Sequence, residues 1–369
     1  MSTTQVKIES RSLRYGGFIL VLGLLVAAVI FRGQLVALFG PESIGSVASV
    51  MAALAAFGGF LLSWTPPRLG MKPLRWIHRT LTGGGIALMH AAIGLLLTIV
   101  LFFLVKNAFE GVQLDPWTAS VLTGVIAGAA GYVAYLSGYT LNSMRLATTL
   151  GVFMASGAMA SMITAPNPYW WQIHFSSLGG GSSGSATAFN ATLILGGIVI
   201  IGLADSIAAD YSRWQERKGS PSNFRLIRLT IATIGVLLAG VGIFPYDTHL
   251  LAHNLAAGLM TLVFLGLVTA LPHFSRELGR TFSVFSYALA VTILVCAWLY
   301  LGVGYLNLTS TELIVAGIIF VWIIVFVRHI AAGLTDTAPV PQTQSSQHHA
   351  HAGPLPPHSG PAKGNPIGG

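Results

Sequence analysis

Residues 166–190 read PNPYWWQIHFSSLGGGSSGSATAFN. This run, Pro166 to Asn190, is polar, aromatic and glycine-rich, and it sits between two apolar runs, Leu146 to Ala165 and Ala191 to Ala209. Each flank has about the 20 residues that an α-helix needs to cross roughly 30 Å of hydrocarbon. The stretch therefore reads as a loop joining two membrane spans, the lid of a site on the outer face. Its rings Tyr169, Trp170, Trp171 and Phe175 suit the headgroup layer, where amphipathic aromatics settle. Gln172 and His174 add polar groups that such a layer does not require.

Outward from this loop the composition agrees. The chain is 54% apolar and 8% charged, with a mean hydropathy of +0.74, whereas soluble domains carry about 25% charged residues. No segment shows the period-two alternation of a barrel strand. The fold class is all-α, a polytopic helical membrane protein of about ten transmembrane helices. Their expected limits are Gly17 to Phe39, Ile44 to Trp64, Gly84 to Val105, Trp117 to Tyr139, Leu146 to Ala165, Ala191 to Ala209, Leu226 to Phe244, Leu255 to Leu271, Phe282 to Tyr305 and Glu312 to His329. The lone cysteine, Cys296, permits no intrachain disulfide.

Lysine and arginine orient the bundle, because cationic loops resist translocation. Alternate loops collect Lys7, Arg11 and Arg14; Arg68, Lys72, Arg75 and Arg79; Arg145; Arg213, Arg217, Lys218, Arg225 and Arg228; Arg276 and Arg280; and Arg328 with Lys363. The other side holds only Arg32 and Lys106. Both termini are then cytoplasmic in a plasma or inner membrane, and the net charge of +8 serves topology rather than nucleic acid. The expected organisation is a cytoplasmic segment over 1–16, a four-helix module over 17–140, a six-helix module over 146–332 and a Pro/His/Gly-rich disordered tail over 335–369. The tail histidines His348, His349, His351 and His358 read as adventitious metal binders. Glycines such as Gly124, Gly128, Gly197 and Gly235 read as sites of close helix approach.

The same parity places a second polar stretch, FPYDTHLLAHN from Phe244 to Asn254, on the face of the lid. His249 and His253 are four apart, so a helix through both would put them on one side. With His174 or Asp247 they could form a zinc site of three protein ligands plus water, although the glutamate of an HExxH helix is absent. The helix start after Pro245-Tyr246-Asp247-Thr248 also suits an anionic headgroup. A third reading is that these polar groups only cap helix ends. Within the spans, His90 and Asp205 are ionisable and costly to bury. His90 reads as an imidazole bonded to a carbonyl rather than a proton relay, and Asp205 as able to pair with Arg213.

At these stretches the chain resembles the bacterial multi-pass family catalogued as domain of unknown function 998, a relative of Frag1/DRAM/Sfk1-like membrane proteins. The residues that carry the resemblance are Gly242-Ile243-Phe244-Pro245, Asp247, His253-Asn254 and Ala256-Ala257, with the run Thr164 to Gly179 similar to actinobacterial members. It covers Leu146 to His329 and implies a membrane protein concerned with lipids, by analogy with eukaryotic relatives. The expected function is binding of an anionic lipid or lipid-linked intermediate, with membrane lipids as partners. Trp170, Trp171, Gln172, His174, Asp247, His249, His253 and Asn254 would form the site. A metal-dependent lipid hydrolase and a lipid or small-solute transporter are the alternatives.

Overall fold

The computed structural model describes residues 3–64, 76–218, 224–275, 278–336 and 360. The tail histidines and the loop cations Arg68, Lys72, Arg75, Arg276 and Lys363 lie outside the described residues. The helices are α1 (Thr3–Ile30), α2 (Ile44–Ser63), α3 (Trp76–Ala108), α4 (Pro116–Thr140), α5 (Ser143–Ile163), α6 (Gly184–Lys218), α7 (Phe224–Ile243), α8 (Leu250–Phe274), α9 (Gly279–Leu301) and α10 (Leu308–Asp336). Among the described residues, ten helices are long and apolar enough to cross a membrane. The chain is an all-α polytopic membrane protein.

Local chemistry starts several of these helices. Ser43 caps α2 by accepting from the Ser46 N–H, Asn142 caps α5 by accepting from the Arg145 N–H, and Asp115 accepts from Trp117 and Thr118 ahead of a first-turn Pro116. Each satisfies amide groups that a helix start leaves open. The first span departs from its expected limits. The helix begins at Thr3 because α4 holds its polar half: Tyr132 donates to Glu9, and Arg11 donates to the Tyr139 hydroxyl at 3.3 Å. It ends at Ile30 because Gly33 takes a left-handed φ of 78°. Val36–Ala37 (β1) then pairs antiparallel with Gln113–Leu114 (β2), so the apolar residues before Phe39 form a short ribbon instead of a last helical turn. The sixth span is longer than its apolar window: α6 has 35 residues, about 52 Å at 1.5 Å per residue, and its far end buries Tyr211, Trp214 and Gln215.

Packing divides the bundle along the chain and then joins it. In the first part α4 lies against α1 and α2, and α2 against α3; in the second, α6 lies against α5 and α7, and α7 against α8. Contacts of α3 with α5 and α6 connect the parts, and α10 closes on α5, α6 and α9. One buried apolar cluster runs from Phe60 and Met89 through Phe153 and Leu203 to Phe264 and Trp322. A close backbone crossing is α6 on α7, where a Cβ on Gly197 would stand 2.3 Å from the Gly235 carbonyl and one on Gly235 would stand 2.7 Å from the Gly197 carbonyl. Only bare backbones approach so closely, as membrane helices do at small residues.

Candidate functional site

The lid between α5 and α6 lies at one end of the bundle, together with the α7–α8 turn and the start of α10. Pro166 and Pro168 keep the chain from continuing α5, and Asn167 accepts from the Tyr169 N–H at 2.9 Å to turn it. Two 3-10 turns follow, Trp170–Gln172 and Phe175–Gly179, with His174 extended between them. Tyr169, Trp171 and Ile173 are exposed, while His174 and Ser176 are buried. The lid is thus amphipathic, with Tyr169 and Trp171 outward and His174 and Ser176 turned into the protein.

The polar groups converge on Glu312, in the first turns of α10. Its carboxylate accepts from the Phe175 N–H at 2.6 Å, the Ser176 N–H at 3.3 Å and the Ser176 hydroxyl at 2.9 Å. Ser176 Oγ also lies 2.9 Å from His174 Nδ1. A carboxylate only accepts, so the one Ser176 proton goes to Glu312 and the hydroxyl oxygen must accept from His174. The network therefore assigns the Nδ1–H tautomer of His174, which leaves Nε2 with a bare lone pair. That Nε2 is buried and has no hydrogen-bond partner, and the side chain is 4% exposed. Burial pushes the His174 pKa below the ordinary histidine value, Glu312 pulls it the other way, and His253 adds to the lowering.

Tyr246, in the α7–α8 turn, covers His174 at a ring distance of 3.9 Å and meets His253 edge-on at 6.1 Å. His253 is 3% exposed and donates from Nδ1 to the Phe244 carbonyl at 2.9 Å. The far half of the lid is fastened separately. Asp247 accepts from the Gly181 N–H at 2.9 Å, where Gly181 has a φ of 77°, and Asn190 donates to the Gly179 carbonyl at 2.8 Å. Between the two halves lies a recess of about 430 Å³ walled by Trp170 and by Gly180 to Ser183.

Beneath this cap is an apolar cleft of about 410 Å³, within the range of ligand sites in proteins. Phe175 roofs it, packed edge-on against Phe189 at 5.2 Å. Met154, Leu193, Leu238, Met260 and Phe320 line it from five helices. Its rim residues Ala155, Leu313, Gly317 and Val321 are exposed, so the cleft opens sideways between α5 and α10. Helical spacing ties cap to cleft: Met260 is two turns below His253 on one face of α8, and Ala316 is one turn below Glu312 on α10.

The structure brings together His174, Tyr246 and His253, with the Trp170 ring tilted against Phe175 at 6.2 Å. It does not bring His249 to them. Helix α8 begins at Leu250, so His249 is its cap, exposed and beside the Thr248 hydroxyl at 2.9 Å. Gln172 and Asn254 are exposed as well. Among the described residues no three His, Cys, Asp or Glu side chains stand together as a metal would require. His90 bonds the Ile86 carbonyl at 2.8 Å and Ser137 at 2.9 Å and stacks on Phe60. Asp205 pairs with Arg228 at 2.6 Å across the α6–α7 crossing rather than with Arg213, which bonds Asp210. The reason is geometric: eight residues of helix separate Asp205 from Arg213 by about 12 Å, whereas antiparallel α7 runs alongside. Sequence reasoning missed Glu312. Its signal was a carboxylate among the apolar residues that open the tenth span, on the lid side by parity.

No curated protein and no solved structure matches the chain. Residues 147–329, which hold most of α5, all of α6 to α9, most of α10, the lid and every residue of the cap and cleft, match the family described as Protein of unknown function (DUF998). Through its last six helices the chain is similar to that family.

Proposed function

We propose that this protein binds a membrane lipid in its second half, with the chain in the apolar cleft and the headgroup at the cap of His174, Ser176, Glu312 and His253. The observation that carries this reading is the cleft itself: apolar, open sideways between α5 and α10, and lined by Phe175, whose N–H is held by Glu312 of the neighbouring polar network. A lipid lying beside the bundle would enter without crossing water. Exposed Tyr169 and Trp171 would seat the lid in the headgroup layer. The excess of Lys and Arg on the opposite loops supports an outward-facing lid and cytoplasmic termini in a cell membrane.

The test is native mass spectrometry of the full-length protein released from detergent micelles, comparing wild type with Gly317→Phe. A Cβ on Gly317 meets no atom within 4 Å, and Gly317 lines the cleft at its exposed rim, so a phenyl ring there should obstruct the mouth of the cleft without straining α10. Wild type should retain lipid and the variant should lose most of it. Equal retention in both would refute the reading.

A further inference from the structure

We infer that the lipid taken by this cleft is uncharged and carries a free hydroxyl, a long-chain alcohol in its simplest form, whose O–H is accepted by His174 Nε2. The inference rests on the lipid reading above and names the chemistry of the headgroup.

The donor and acceptor inventory of the cap decides it. Glu312 is an acceptor already engaged by the Phe175 and Ser176 donors. Ser176 gives its one proton to Glu312 and takes one from His174, so its hydroxyl is spent. Two buried polar atoms at this end have no partner, His174 Nε2 and, three residues before Glu312, Thr309 Oγ1; the tautomer fixed by the network makes Nε2 an acceptor. Buried polar atoms are nearly always paired, and one that is not calls for an explanation. A ligand that donates a hydrogen bond supplies it.

Charge points the same way. The lid from Thr164 to Ser183, the turn from Phe244 to His249 and the segment from Gly302 to Glu312 contain no Lys or Arg, and they contain the acidic residues Asp247 and Glu312. A phosphate brought to this cap would meet a carboxylate and a bare imidazole lone pair, with no cation in these segments to balance it. A hydroxyl carries one donor and no charge, which is what Nε2 lacks. Tyr246 packs against the His174 and His253 rings. Its outward swing would admit the headgroup while Phe175 and the cleft take the chain.

Full-length protein in micelles is titrated with three probes of one saturated chain length, hexadecanol, hexadecyl methyl ether and hexadecyl phosphate, and binding is read by native mass spectrometry. Wild type should bind the alcohol about tenfold more tightly than the ether, the scale of one neutral hydrogen bond. His174→Phe should erase that preference while still binding both. Equal binding of alcohol and ether by wild type, both reduced by Gly317→Phe, overturns the hydroxyl inference and leaves the lipid reading standing. Tightest binding of the phosphate overturns it in favour of an anionic headgroup. Binding of no probe, or binding that Gly317→Phe does not reduce, overturns both.

Discussion

Replacing Glu312 with alanine should release one half of the lid and leave the other in place. The carboxylate holds the Phe175 N–H at 2.6 Å and the Ser176 hydroxyl at 2.9 Å; its third contact, the Ser176 N–H at 3.3 Å, is long and adds little. Hydrogen bonds to a charged partner contribute about 1.5–3 kcal/mol each. Taking the low end for a partly buried site, the two good bonds sum to about 3 kcal/mol, a factor of about a hundred in the opening equilibrium. The Gly179–Gly181 half is tied elsewhere, by Asn190 and Asp247, and stays. Amide hydrogen exchange in micelles, read on peptides covering 173–183, is the assay. The Phe175 and Ser176 amides should exchange about a hundredfold faster in Glu312→Ala, with Gly181 unchanged. Unchanged exchange at Phe175 and Ser176 would refute the claim that Glu312 anchors the lid. Acceleration across the whole stretch would refute its division into two independently fastened halves.

Gly235→Leu should destabilise the α6–α7 crossing by about 1–3 kcal/mol or more through overpacking, because its Cβ would stand 2.7 Å from the Gly197 carbonyl; thermal unfolding in detergent would show a lower midpoint, and an unchanged midpoint would deny the close approach. Lid protection should fall on acidification. His174 has a depressed pKa in the folded protein, so its contribution is complete above the unfolded value of about 6.5 and is lost as pH drops through the folded value. Hydrogen exchange of the lid between pH 7.5 and 5 checks this, and His174→Gln should flatten the profile. Arg228→Ala removes the pair with Asp205 from an arginine that is more than half exposed, so it should cost less than about 1 kcal/mol, and a loss of several would give this ion pair a larger role.

The spans were legible because hydrophobic length is a property of each segment alone. Ile44 as the start of α2 and the matched stretch over 147–329 follow from local residues. The first span failed at both ends for reasons located elsewhere in the chain. Tyr132 and Tyr139 on α4 keep Glu9 and Arg11 helical, and Gln113–Leu114 draws Val36–Ala37 into a ribbon. The candidate site divides in the same way. His174 and His253 were visible as polar residues on one face, yet their spacing gave no sign that α8 starts one residue after His249 and turns that side chain outward. Glu312 was hidden because its partners lie more than a hundred residues away, and two of them are backbone amides that no side-chain pattern records. Asp205 found Arg228 on the neighbouring helix, a contact fixed by the bare Gly197–Gly235 crossing rather than by sequence distance.

The most direct measurement of the central claim is photolabelling in nanodiscs with a lipid that carries a diazirine midway along one acyl chain, followed by peptide mapping of the adducts. The account predicts adducts on cleft residues such as Met154, Met260 and Phe320, reduced by Gly317→Phe. Adducts confined to outward-facing residues such as Leu251, Leu294 and Leu301, with none in the cleft, would contradict it.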